Sequence, residues 1–130
     1  MNNDKLTEMF YKYNLVKDQD IFRHQHYSIL TRSGIEKIQA QEKISVTFEV
    51  VKCEKDFAGV KAIAVKDKKV IETYGSALKG DYKNGNCNTW YVLEMAEKRA
   101  LARSILKLLD LYAINVKSED EAEDFKNSNN

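Results

Sequence analysis

The sequence predicts an α+β fold, in which a three-stranded antiparallel meander is covered by one long C-terminal helix and preceded by an N-terminal helix. Residues 43–78 contain three apolar segments of strand character, separated by short polar turns. Residues 88–112 lack Gly and Pro and are rich in Ala, Leu, Glu, Lys and Arg, as in one continuous helix. The core is therefore expected to be β-β-β-α, with a short segment at 26–31 as an optional fourth strand.

The helix over 88–112 is predicted to begin at Asn88 or Thr89, which can cap it, and to stop near a left-handed Asn115. At about 100° per residue, its apolar residues fall on one broad face that needs a sheet to pack against. Two alanines within that face allow a close approach. The residues of the face are Leu93, Ala96, Ala100, Leu101, Ile105, Leu108, Leu111 and Tyr112.

Beside this face, Arg99, Arg103 and Lys107 follow one another at intervals of four residues and form a row along the helix. Neither arginine has an acid three or four residues away, whereas Lys107 has Asp110. Like charges at this spacing repel by a few tenths of a kcal/mol. The row therefore indicates an anion opposite the helix, and a solvated edge or pairing with acids from another segment is the equally open alternative.

The first part of the chain is predicted to form a helix over 4–17, a strand over 26–31 and a short helix after Ser33. Ser33 is expected to cap this second helix, with Glu36 completing a capping box. Apolar and polar residues alternate most clearly in the middle third of the chain. The strands of the meander are expected at 43–53, 60–66 and 69–78.

The charge is divided unevenly along the 130 residues. The net charge is +1, but residues 118–130 carry a net −4 and residues 1–117 therefore +5. We expect one domain over 1–117 and an acidic, mostly disordered tail over 118–130. A basic body with an acidic tail is often found in proteins that bind nucleic acids or other polyanions.

Other features narrow the class of protein. No apolar run is long enough to span a membrane, and no export signal opens the sequence. Cys53 and Cys87 stand far apart, which favours free thiols in a reducing cytoplasm. His24 and His26 have no spaced partners to complete a metal site, and no catalytic motif is present. We therefore expect neither an enzyme nor a bound cofactor or metal.

Basic residues interleaved with aromatics point instead to nucleic-acid binding. Proteins that bind single strands combine a cationic groove for the backbone with rings on which bases stack. Trp90 and Tyr91, beside the polar loop at 79–88, are the most suggestive pair, with packing of Trp90 into the core as the alternative. Besides Arg99, Arg103 and Lys107, the predicted nucleic-acid-binding residues are Lys66, Lys68, Lys69, Lys79, Tyr82, Lys83, Trp90, Tyr91 and Lys98.

The order of meander, polar loop and basic helix resembles that of phage single-strand annealing proteins, the ERF-like and Sak-like recombination proteins related to the eukaryotic annealing mediator. Lys98, Arg99, Ala100 and Leu101 match the family's Lys-Arg-Ala-Leu stretch, and residues 22–46 are similar to its lead-in. In the eukaryotic relative an arginine follows that stretch directly. Here Arg103 comes one place later, which turns its side chain by about 100°.

The resemblance implies that basic residues of the helix line a groove for the DNA backbone. It further implies binding of single-stranded DNA with little sequence preference, annealing of complementary strands, and assembly into rings or filaments without nucleotide or metal. The acidic tail is expected to compete for the groove or to dock a replication or recombination protein, with a frayed end that only aids solubility as the equally open alternative. The alternative from another class is a small phage adaptor or inhibitor that binds a host protein, suggested by the aromatic first helix and the tail.

Overall fold

The computed structural model describes residues 2–80, 84–87 and 90–121. It confirms a mixed α+β protein, but the chain expected to be one domain divides into two compact units, residues 1–44 with 105–130 and residues 45–104. No helix among the described residues is both long and apolar enough to cross a membrane. In chain order the elements are α1 (Asn2–Lys12), β1 (Ile21–Arg23), β2 (Ser28–Leu30), α2 (Arg32–Glu42), β3 (Ser45–Cys53), β4 (Phe57–Lys66), β5 (Lys69–Leu78), α3 (Val92–Leu108), a 3₁₀ helix (Leu111–Ile114) and β6 (Val116–Ser118).

The meander is present in the unit formed by residues 45–104. The strands β3, β4 and β5 pair in that order, and both pairs are antiparallel. A two-residue turn joins β4 to β5, and Asp67 in this turn adopts a left-handed φ of 54°, which Asp tolerates better than most residues. The strand predictions are thus confirmed, with β4 beginning three residues earlier than expected because the loop before it is short.

One face of the meander packs against α3 at very close range. The cluster beneath the helix consists largely of small residues, and Ala96 and Ala100 of α3 are fully buried in it. A Cβ atom on Gly75 of β5 would overlap main-chain atoms of Ala96 and Ala100, so only glycine fits at this position. The Thr73 hydroxyl donates a hydrogen bond to the Ala100 carbonyl (2.9 Å). The close approach predicted from the two alanines is therefore confirmed.

The long helix differs from its prediction in length and place. It ends at Leu108, and a 3₁₀ helix and β6 follow, so α3 lies in mid-chain and the expected β-β-β-α arrangement with one long C-terminal helix is wrong. The chain leaves the helix where Asp110 adopts a left-handed φ of 56°. Asn115 is left-handed as predicted, but it closes the 3₁₀ helix instead of α3. The predicted caps, residues 88 and 89, lie outside the described residues.

The other unit contains a second small sheet that the sequence prediction missed. β2 pairs antiparallel with β1 and parallel with β6, so the segment expected as a fourth strand of the meander belongs to a different sheet. β1 and β6 have only three residues each, too few for a periodic pattern. Ser118 lies in β6, so the tail predicted to begin there starts inside a strand, and residues 122–130 lie outside the described part of the chain.

The two helices of this unit also depart from the predicted ends. α1 stops at Lys12 and not at residue 17, and Asn14 beyond it is left-handed, with a φ of 54°. Thr31, not Ser33, caps α2 by accepting a hydrogen bond from the Gly34 amide (3.3 Å). The capping box is wrong, because Glu36 forms an ion pair with Arg32 (3.0 Å).

Ser33 instead contacts a buried carboxylate, Asp20, that holds this unit together. Asp20 accepts hydrogen bonds from Lys37 Nζ (2.5 Å), Ser33 Oγ (2.5 Å) and the Val16 amide (2.8 Å). Burial by itself would raise the pKa of Asp20, but these donors outweigh it and the pKa lies below its ordinary value. The carboxylate thus joins the chain before β1 to the second helix.

Replacing Asp20 with Ala is expected to lower the free energy of unfolding at neutral pH by about 3 kcal/mol, since it removes the partner of a partly buried cation and three hydrogen bonds. Because the folded-state pKa is depressed, this stabilisation is complete above the unfolded pKa of about 3.9 and is lost as the pH falls through the folded value. Urea denaturation at neutral and acidic pH measures the difference. Glu36→Ala, which removes an exposed ion pair, is the control and should lower the free energy of unfolding by about 0.5 kcal/mol or less. If the two variants lost equal stability, or if Asp20→Ala lost as much stability in acid as at neutral pH, the role of Asp20 would be contradicted.

Gly75→Ala is expected to destabilise the protein by about 3 kcal/mol, because the added methyl group meets helix backbone that cannot move aside alone. Gly59→Ala on the neighbouring strand is the matched control. Its added methyl group has no neighbour closer than 3.8 Å, so stability should hold or rise slightly. Thermal unfolding of both variants compares them. A Gly75→Ala protein as stable as the Gly59→Ala protein would argue against the close packing of α3.

Candidate nucleic-acid interface

The two arginines of the predicted row lie along the outer edge of β5. Arg99 donates hydrogen bonds from Nη1 to the Ser76 carbonyl (2.8 Å) and from Nη2 to the Asn86 carbonyl (2.5 Å). Arg103 donates from Nη1 to the Tyr74 carbonyl (2.8 Å). The anionic partner anticipated from the sequence is thus replaced, in part, by main-chain oxygen atoms. These bonds fasten α3 to the edge of the sheet.

This packing closes the groove that the family resemblance implies. Arg99 is only 8% exposed, and at Gly75 the helix backbone lies directly on the strand. A DNA backbone therefore has no channel between α3 and the meander in which to contact Arg99. Arg103 is half-buried at the rim, with one of its terminal nitrogens already bonded.

The rest of the predicted basic helix surface is not one continuous patch. Lys98 is half-buried beside Arg99, whereas Lys107 is exposed in the last turn of α3. Lys107 also falls in the other compact unit, which begins at Ile105. Along the predicted row, Arg99 is thus buried, Arg103 is half-buried and Lys107 is exposed.

The loop lysines lie at opposite ends of the meander. Lys66, Lys68 and Lys69 are at the turn between β4 and β5, whereas Lys79 follows the last residue of β5. A strand rises about 3.3 Å per residue, so the ten residues of β5 separate the two groups by roughly 30 Å. Two further predicted site residues, Tyr82 and Lys83, lie outside the described residues.

Trp90 and Tyr91 are both solvent-exposed just before α3, by 75% and 41%. Their ring centroids are 5.4 Å apart with the rings nearly perpendicular, an edge-to-face pair. Cys87, three residues before Trp90, and Val92, directly after Tyr91, are buried in the core instead. The alternative in which Trp90 packs into the core is therefore wrong, and a large indole face is left available to a ligand.

Lys79 follows the last residue of β5 and forms a β-bridge with Cys87. The Gly80 amide donates to the Cys87 carbonyl (2.8 Å), which ties the end of β5 to the segment that leads into Trp90. Lys79 is exposed, while its own amide is held by the Asp56 carbonyl (2.7 Å). Glu94 already places a negative charge in the first turn of α3. Aromatic stacking, not a phosphate at the helix terminus, is thus the main interaction that this end of the unit offers.

The face of the meander away from α3 is unsuited to a phosphate backbone. Lys61 lies at its centre between Glu72, with which it forms a close ion pair, and Glu49 at 3.8 Å. The hydrogen bond with Glu72 raises the pKa of Lys61, so the lysine is held as a cation by two carboxylates. The trio has a net charge of −1 and would repel phosphate. Successive side chains of a strand point to opposite faces of the sheet. Tyr74 therefore lies on this face, and the neighbouring Gly75 faces α3.

No cluster of three or more His, Cys, Asp or Glu side chains suited to a metal ion occurs among the described residues. His24 is stacked on Tyr27, with ring centroids 4.8 Å apart. In comparisons with protein-family models, curated proteins and solved structures, the chain matches none. The likeness to annealing proteins thus depends on the short sequence motifs given above.

Arg99→Met is expected to lower the free energy of unfolding by about 3 kcal/mol, because it leaves two carbonyl groups without their charged donor. Lys107→Met on the same helix removes an equal charge from an exposed position and should change stability by about 0.5 kcal/mol or less. Chemical denaturation of the two variants provides the comparison. If Arg99→Met were as stable as the unmodified protein, Arg99 would be free for a ligand and its structural role would be refuted.

Proposed function

We propose that this protein binds single-stranded DNA with little sequence preference and promotes annealing of complementary strands, in phage-type recombination in the host cytoplasm. The observation that carries the proposal is the exposure of Trp90 beside Tyr91. The binding surface is the end of the meander at Lys79, Trp90 and Tyr91. Arg99 and Arg103 support that surface by holding α3 on the sheet.

Stacking suits a protein that must hold a strand and still let it pair. A base that stacks on an indole uses its π face, which all four bases possess, so binding tolerates any sequence. Its hydrogen-bonding edge stays available to a complementary strand. Each such stack contributes about 1–3 kcal/mol, enough to compensate for the few lysines at this end of the unit.

Trp90 is the only tryptophan in the chain, which allows a direct test. Addition of an unlabelled oligothymidine should quench its fluorescence, and anisotropy of a labelled oligonucleotide measures the affinity. Trp90→Ala should weaken binding by roughly 5- to 150-fold, the equivalent of one lost stack. Lys79→Ala should reduce the slope of log affinity against log salt by about 0.7, the value of one phosphate contact on a single strand.

Tyr11→Ala is the matched control, because Tyr11 is 71% exposed but belongs to the other compact unit. This variant should bind as the unmodified protein does. If the Trp90→Ala and Tyr11→Ala variants both bound DNA as tightly as the unmodified protein, the proposed surface would be excluded. An oligonucleotide that does not bind even at low salt would exclude the function itself.

The second candidate function is a protein-interaction module. The face of the meander away from α3 favours it. This face exposes Val51, Val70, Tyr74 and Leu78 by 41–61% each around the Lys61 trio. Exposed apolar groups of this kind are common at protein interfaces. Capture of one host protein from a nuclease-treated lysate, abolished by Tyr74→Ala but not by Trp90→Ala, would favour this candidate over DNA binding.

A further inference from the structure

The two edges of the meander differ in whether they can pair with another strand. Carbonyl and amide groups of Tyr74, Ser76 and Leu78 point outward from β5, and each of these residues is engaged. Arg103 and Arg99 bond the first two carbonyls, while Asn86 bonds both the amide and the carbonyl of Leu78. A second strand is therefore excluded from this part of β5.

The outer edge of β3 is open by comparison. β3 bonds to β4 through alternate residues, so Val46, Phe48 and Val50 direct their amides and carbonyls away from the sheet. No hydrogen bond to these outward groups occurs within the described part of the chain. The preceding outward residue, Ile44, is already bonded to Gln39 through both its amide and its carbonyl. The free stretch thus extends from Val46 to Val50, with Phe48 at its centre.

We propose that this edge binds the same edge of a second copy of the chain, giving a two-fold symmetric dimer with a continuous six-stranded sheet. Exposed unpaired edges are templates for strand addition unless charge, proline or a covering element protects them. Phe48 is 36% exposed and Val50 58%. Glu49 between them lies on the other face of the sheet, where it pairs with Lys61 (3.8 Å). An antiparallel pair of identical edges is closed, so the assembly ends at two copies.

The side chains select one register, with Phe48 opposite Phe48 of the second copy. In this register Val46 faces Val50 on both sides, and three residue pairs each exchange two hydrogen bonds. The three apolar side chains from each copy lie on one face, and Glu49 faces Thr47. A shift by one pair brings Glu49 opposite Glu49, where the like charges repel. A shift in the other direction loses pairing at Val50. The bulge between Val50 and Lys52 then ends the regular ladder.

Sedimentation and light scattering of the full chain test the dimer. The unmodified protein should have twice the mass of one 15.0 kDa chain at micromolar concentration. Phe48→Lys should be monomeric, because it places two ammonium groups opposite each other at the symmetry axis. Val70→Lys is the matched control, an exposed valine on the other edge strand, and should stay dimeric. If the unmodified protein were monomeric, or if Phe48→Lys and Val70→Lys weakened the dimer equally, the proposal would be overturned.

Cross-linking tests the register without relying on a destabilising change. Opposed residues of a hydrogen-bonded antiparallel pair have Cα atoms about 5.5 Å apart, within the range of a disulfide. In a Cys53→Ser background, Phe48→Cys should form a covalent dimer under mild oxidation, and Glu49→Cys should not, since it faces Thr47. Cross-linking at position 49 but not at 48, or at neither position, would reject this interface. Because no DNA is present, the result is independent of the proposed function.

Discussion

The hydrogen bonds from Arg99 and Arg103 to carbonyls of the outer strand hold α3 against one edge of the meander. They anchor α3 where Gly75 has no side chain to keep the helix backbone away. Because a guanidinium is planar and spreads its donors over separate nitrogens, Arg99 bonds Ser76 through Nη1 and Asn86 through Nη2. These bonds connect α3 to the end strand and to Asn86.

This anchoring makes the meander asymmetric. One edge is occupied by side chains and by the loop at Asn86, while the other edge presents unpaired backbone over Val46–Val50. Natural sheets usually protect such edges. A partner strand would complete the sheet at this edge, and a second copy satisfies both the unpaired backbone groups and the apolar side chains of Val46, Phe48 and Val50.

The anchoring also sets the position of the exposed aromatic pair. Arg99 bonds the Asn86 carbonyl, and Cys87 and Val92 are buried in the core. Trp90 and Tyr91, which come between these two buried residues in the chain, are exposed. The family likeness pointed to the basic residues of α3, whereas the proposed contact is at Trp90 and Tyr91. The arginines that resemble DNA-binding residues have structural bonds here, and the rings beside them carry the proposed contact.

The amino-acid sequence by itself determined the strands of the meander, the apolar face of α3 and the close approach at Ala96 and Ala100, because periodicity and side-chain size are local properties. It did not reveal the second sheet, whose strands of three residues are too short for a pattern. Nor did it reveal the partners of Arg99 and Arg103 or the exposure of Trp90. Every residue carries a carbonyl group, so only the tertiary structure decides which carbonyls meet an arginine and which aromatic side chains stay in water.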